Sequence, residues 1–231
     1  MVISYFGAEA FKIQFGDIVI AYNPVSKNSK LKSVSFGSDI VLVSLNHEDM
    51  NGIENASRGD KAPFVINGPG EYEIKGVFVH GFPSVSKYGG REDDKKNDKV
   101  NGCERVNTIY TVSLENMNLC FLGALSSSEL PNNVVEELEE IDILFVPIGG
   151  GDVLSPGEAY KLAVSLEPKI IVPMHYGMDG GGVTAATGNT VLRTFLKEGG
   201  EDSAEKHDKL TIKNKDLEGR EGDIVVINPS A

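Results

Sequence analysis

Hydrophobic positions in the first half of the chain fall into short runs. Phe11, Ile13 and Phe15 alternate with Lys12 and Gln14, the period of a strand with one buried face. Gly16-Asp17 turns the chain into the apolar run 18–21, which stops at Asn23-Pro24. Residues 39–45 (DIVLVSL) are apolar and β-branched, the pattern of a buried strand. Phe64, Val65 and Ile66 lead into the turn Asn67-Gly68-Pro69-Gly70, and strands are predicted again at 72–74 and 77–79. The runs 108–114 and 118–122 flank Glu115-Asn116 and predict a hairpin.

In the second half the period lengthens. Val134, Val135, Leu138 and Ile141 stand at helical spacing among glutamates, and 143–146 is a buried strand. Ser155-Pro156-Gly157-Glu158 has the form of a capping box with proline at the first helical position. That helix should run to Leu166 and stop before Pro168. A strand at 170–172, a helix over 189–197 closed by Gly199-Gly200, and a strand at 223–227 complete the pattern. Strands first and strand–helix alternation afterwards predict an α/β fold of two packed sheets with helices outside. No repeat or linker interrupts residues 1–231, which are taken as a single domain. The charged, apolar-poor stretches 87–105 and 201–209 are expected to be mobile loops.

Composition narrows the function classes. Of 231 residues, 40% are apolar and 24% charged, enough for a sizeable core. No apolar run reaches the roughly 18 residues of a membrane span, so no membrane association is expected. Residues 1–15 lack a basic region followed by an apolar run, which argues against a secretory signal and for a cytoplasmic protein. In that compartment Cys103 and Cys120 are expected as reduced thiols. A formal charge of −12 repels a phosphate backbone, and the basic spots at 27–32 and 95–99 are short. Nucleic acid is therefore not an expected partner. A small molecule, a protein or a second copy of the chain remains.

Candidate chemistry lies where strands end. Residues 44–51 read Ser-Leu-Asn-His-Glu-Asp-Met-Asn, 121–124 read Phe-Leu-Gly-Ala, and 172–176 read Val-Pro-Met-His-Tyr. With the phrases 67–74 (NGPGEYEI), 107–110 (NTIY), 143–150 (ILFVPIGG) and 167–176 (EPKIIVPMHY), these segments resemble the metallo-β-lactamase superfamily. The branch they are most similar to holds metal-dependent hydrolases akin to ascorbate-6-phosphate lactonases. The resemblance covers residues 1–198 and implies a four-layer αβ/βα sandwich. It also implies seven metal-ligand positions: 45, 47 and 86 for one ion, 49, 50 and 175 for a second, and 124 bridging. Here His47, Asp49 and His175 match, whereas Leu45, Met50, Ser86 and Ala124 do not.

A hydrolytic zinc needs about three protein ligands and an activated water. Leucine, alanine and serine cannot stand in for imidazole or carboxylate, and a thioether prefers soft metals. Leu45 and Met50 would fill the cleft instead. The expectation is therefore a hydrolase-like protein with little or no hydrolysis, no required cofactor, and a binding or scaffold role. The alternative is a single zinc or manganese ion on His47, Asp49 and His175, with Asp49 catalytic only in that case, acting on a small ester, lactone or phosphoester. Asp49 could equally cap a helix after Met50. Metal-free hydrolysis through Ser44, Ser84 or Ser86 lacks the Gly-x-Ser-x-Gly elbow. His80 is expected to be structural, His207 solvated, and Cys120 in the core. The glycine runs 149–151 and 180–182 are expected to be turns near the cleft.

Overall fold

The computed structural model describes residues 1–57, 59, 62–90, 104–138, 140–176, 185–201, 204 and 206–230. Its elements run β1 (Val2–Tyr5), β2 (Phe11–Phe15), β3 (Ile18–Tyr22), β4 (Ile40–Leu42), β5 (Phe64–Ile66), β6 (Gly70–Ile74), β7 (Val77–Ser86), β8 (Arg105–Leu114) and β9 (Met117–Phe121). They continue with α1 (Asn132–Glu137), β10 (Ile143–Pro147), α2 (Pro156–Ser165), β11 (Ile170–Met174), α3 (Ala185–Glu198), β12 (Lys206–His207), β13 (Leu210–Thr211), β14 (Asp223–Ile224) and β15 (Val226–Ile227).

Two mixed sheets face each other. The first has the order β13-β1-β2-β3-β4-β5 and the second β14-β11-β10-β9-β8-β7-β6. Alternation along the strands decides which side chains meet between them. In β3 and β4, Ile20, Tyr22, Ile40 and Leu42 enter the main core, while Ala21 and Val41 face the other way, toward Ala56. Aromatic rings bridge the sheets. Tyr22 stacks on Phe121 at 4.2 Å, Phe121 on Phe145 at 4.2 Å, and Phe11 meets Phe145 edge-on at 4.9 Å. On the outer side of the second sheet, α2 packs on β10 and on α3. The layering is the α/β sandwich expected from the sequence.

Several boundaries differ from the pattern reading. The Glu115-Asn116 hairpin forms with both residues at positive φ, 52° and 59°, as a two-residue turn of the primed type requires. α1 ends at Glu137; Glu140 then takes φ 55°, so Ile141 reaches the core from beyond the helix. Among the described residues no α-helix lies between Met50 and β5. The nearest helical element is a single 3-10 turn at Ile53–Asn55 with Gly52 at its cap, so Asp49 caps nothing. In the stretch 201–209, Lys206 and His207 form β12 and pair with β15. Residues 91–103, including Cys103, and the glycines 180–182 lie outside the described residues. Among the described residues no helix is long and apolar enough to cross a membrane.

Candidate functional site

The cleft lies at the carboxyl ends of β3, β4, β7, β9, β10 and β11, with the β1–β2 turn closing its floor. Two strands turn back sharply there. Asn23 after β3 has φ 44° and His175 after β11 has φ 61°, a left-handed backbone that asparagine and histidine tolerate better than most residues. The His175 N–H donates to Ala8 O at 2.6 Å, docking the β1–β2 turn against the end of β11.

That turn supplies Glu9, a fully buried carboxyl group. One of its oxygens is 2.8 Å from Nδ1 of His175, and the other accepts from the Asn23 side-chain amide at 2.9 Å. Asn23 also donates to Ser44 Oγ at 2.8 Å, and its carbonyl accepts from the Ser44 N–H at 2.8 Å. The result is a closed polar floor, Glu9–His175 and Glu9–Asn23–Ser44, beneath the cleft. Burying these groups is tolerable because each finds a partner.

Above that floor the cleft is apolar. Leu45, Met50, Ala124 and Val153 are buried together, with Tyr88 packed against them. Asn107 holds the strand-end loop in place: its carbonyl accepts from the Ala124 N–H at 3.1 Å and its amide donates to Leu122 O at 2.9 Å. Gly149 has to be a glycine at the back wall, since a Cβ there would lie 2.5 Å from His175 O. Gly150 and Gly151 continue as the expected turn, at φ 72° and 67°.

Asp49 is nearly buried at the mouth. It accepts hydrogen bonds from the Ser29 hydroxyl and from the Tyr88 hydroxyl, the latter at 2.7 Å. Nδ1 of His47 is 3.4 Å from the same carboxylate and accepts the Asp49 backbone N–H at 3.2 Å. The Tyr88 ring stands edge-on to both imidazoles, 5.1 Å from His47 and 4.9 Å from His175 between centroids. Burial, then the hydrogen bond to Asp49, pushes the Tyr88 phenol well above its usual range, so it stays a donor.

His47 and Asp49 are thus brought together, while His175 is tied to Glu9 on the far side of the Tyr88 ring. Among the described residues no three His, Cys, Asp or Glu side chains form a set that could hold a metal ion. As arranged, the donor set does not fit a hydrolytic zinc, which needs about three such ligands. The serines are committed elsewhere: Ser44 to Asn23, Ser84 to Asn107, and Ser86 to the Tyr88 N–H. His80 lies tilted against Phe82, 3.9 Å between ring centroids, and the Tyr176 hydroxyl reaches Ile227 O at 3.4 Å. Cys120 is fully buried, and burial drives its thiol pKa upward, which makes it inert.

Glu9, Asn23 and Tyr88 were not singled out from the sequence. Faint signals existed. Glu9 is a lone acid inside the apolar phrase Ala8-Glu9-Ala10-Phe11, and Tyr88 precedes Gly89-Gly90 at a strand end.

Comparison with known proteins matches this frame. Residues 2–175 match the Beta-lactamase superfamily domain. A UPF0173 metal-dependent hydrolase of Listeria welshimeri is 27% identical over 198 residues, covering 76% of this chain and 85% of the relative. A UPF0173 protein of Pyrococcus abyssi is 51% identical over a shorter stretch of 43 residues, 19% of this chain and 20% of the relative. Among solved structures, a metallo-β-lactamase superfamily protein of Thermotoga maritima superposes with a TM-score of 0.71 at 26% identity, over 98% of this chain and 97% of that one. The metallo hydrolase Igni18 of Ignicoccus hospitalis shares the fold, with a TM-score of 0.64 at 17% identity over 100% and 96% of the two chains. Two facing sheets, a cleft at their strand ends and a family match over three quarters of the sequence agree: the chain belongs to the metallo-β-lactamase superfamily.

Proposed function

We propose that this protein is a metallo-β-lactamase-fold relative of metal-dependent hydrolases in which hydrolysis is lost or much reduced, and that it acts by binding a small molecule or a protein. One observation carries the reading. Leu45, Met50, Ala124 and Val153 are buried together with Tyr88 packed against them, and Tyr88 in turn meets Asp49 through its hydroxyl and stands edge-on to His47 and His175. A hydrolytic ion would need polar donors and an open coordination position for water there. Four of the seven positions that the family resemblance assigns to ligands are Leu45, Met50, Ser86 and Ala124, which supports the same reading.

A second reading is favoured by the Listeria relative, which is described as a metal-dependent hydrolase. In it, one zinc or manganese ion is held by His47, Asp49 and His175, and a small ester, lactone or phosphoester is cleaved. Elemental analysis of protein purified from zinc- and manganese-supplemented medium separates the two. The first reading expects clearly substoichiometric metal and no hydrolysis of ester, lactone or phosphoester panels after either ion is added. Stoichiometric metal that His175→Ala removes, together with turnover, establishes the second.

A further inference from the structure

We infer that the free edge of β6 is a docking site for an extended segment of a partner protein in which basic and apolar residues alternate. The site is separate from the cleft: none of its residues belongs to the lining described above, so metal or hydrolysis found there would leave it standing. β6 is the last strand of its sheet. Among the described residues it pairs with β7 and with no strand on its other side. None of its five residues is buried: Glu71 and Glu73 are exposed, and Gly70, Tyr72 and Ile74 are half-buried. Lys75 and Gly76, at φ 54° and 77°, form a two-residue turn closed by the pair Ile74–Val77. In such a hairpin the closing pair exchanges both of its backbone hydrogen bonds, and the pattern then alternates along the strand. Gly70, Tyr72 and Ile74 therefore turn their N–H and C=O groups toward β7, whereas Glu71 and Glu73 aim theirs outward along the free edge.

The side chains on the two faces decide what can pair there. Register sets Glu71 opposite His80 and Glu73 opposite Phe78, and these face Thr111 and Ser113 on β8. Together they line an open depression of about 420 Å³ on the outer face of the sheet. Phe78 is 55% exposed there, a large apolar ring left in water. On the opposite face Tyr72 and Ile74 pack against the main core. A strand laid along β6, in either direction, places alternate residues beside Glu71 and Glu73 and the intervening ones beside Tyr72 and Ile74. Lysine or arginine suits the first set, with its charge on the carboxylates and its aliphatic stem extended toward Phe78. Valine, isoleucine or leucine suits the second. A second copy of the chain is a poor occupant. β6 paired antiparallel with itself about Tyr72 sets Glu71 against Glu73 twice, and like charges directly opposite are destabilising. The formal charge of −12 adds repulsion between copies and attraction for a cationic segment.

The test uses the full chain and a fluorescein-labelled peptide that alternates Lys and Val, read by fluorescence anisotropy at about 0.15 M salt. One control peptide has the same composition in two blocks, all Lys and then all Val. A second is the alternating peptide N-methylated throughout. Wild type is expected to bind the alternating peptide one to one and each control at least about tenfold more weakly, because alternation and backbone pairing are both needed. The double variant Glu71→Lys with Glu73→Lys, its fold checked by circular dichroism, is expected to lose at least about tenfold for the Lys-Val peptide and to gain binding of a Glu-Val peptide. Glu71→Gln with Glu73→Gln is the milder pair and should weaken the Lys-Val peptide in the same direction. No binding to wild type overturns the docking strand. Equal binding of either control, or an affinity unchanged in both pairs of variants, overturns it as well, since that is attraction to an acidic chain as a whole. A wild-type dimer in sedimentation that Glu73→Pro dissolves assigns the edge to a second copy and also overturns the proposal. Each of these failures leaves the proposed loss of hydrolysis untouched.

Discussion

Glu9 and His175 are 166 positions apart in sequence and form a buried polar contact beneath the cleft. The carboxyl group has two partners, His175 and Asn23, and no solvent to replace either. Removing one partner of a buried hydrogen-bonded acid leaves the other partly unsatisfied, which costs about 1–3 kcal/mol and more when the group is charged. His175→Leu is accordingly expected to lower stability in urea melts by about 2 kcal/mol or more. Combining it with Glu9→Leu should cost less than the sum of the two single changes, because the double change leaves no orphaned acid. Strict additivity of the two losses would show that the contact carries no coupling energy.

The second helix illustrates what local sequence decides. The Ser155 hydroxyl accepts from the Glu158 N–H at 3.4 Å, and the Glu158 carboxylate accepts from the Ser155 N–H at 2.9 Å, the capping box read from the sequence. Ser155→Ala should destabilise by about 1 kcal/mol. The Ser155 hydroxyl, then its backbone N–H, hold the Glu158 carboxyl below its ordinary range. A group whose folded pKa is lowered contributes stability above its unfolded value, near 4.3, and loses it as the pH falls through the folded value. The gap in melting temperature between wild type and Glu158→Gln should therefore be open at neutral pH and close in acid. A gap that is constant down to strongly acidic pH would mean that the carboxylate form is not what caps the helix. The same local logic explains the Glu115-Asn116 hairpin, whose two positive φ angles are carried by the turn itself. It fails for Asp49: a capping residue and a cleft residue look alike until the partners arrive from Ser29 and Tyr88.

Across the molecule, the facing sheets hide phenol groups. Tyr5, Tyr22, Tyr88, Tyr110 and Tyr176 all have pKa values raised, with burial the largest cause in each. A phenol whose folded pKa is raised binds its proton more tightly in the native state, so stability falls as the pH rises past the unfolded value near 10. Phenolate absorbance is expected to rise in step with the loss of far-ultraviolet circular dichroism for most of the seven tyrosines in the chain. Reversible titration of all of them near pH 10 with the dichroism intact would contradict the burial that the core describes.

The strands, the capped helix, the hairpin and the sandwich class were legible in the sequence because each is written in spacing: a period of two for a half-buried strand, about 3.6 for a helix, and short-range turn chemistry. His47, Asp49 and His175 were legible because they stand at strand ends, in phrases that resemble a known family. The relation among them was decided by tertiary structure. Glu9 arrives from one turn, Asn23 from the end of β3 and Tyr88 from beyond β7, and none carries more than a faint local mark of its role. Their meeting follows from sheet order and from two left-handed strand ends, at Asn23 and His175, that aim side chains over the cleft. Burial then fixes the contacts, because a carboxyl or amide group removed from water without a partner costs free energy.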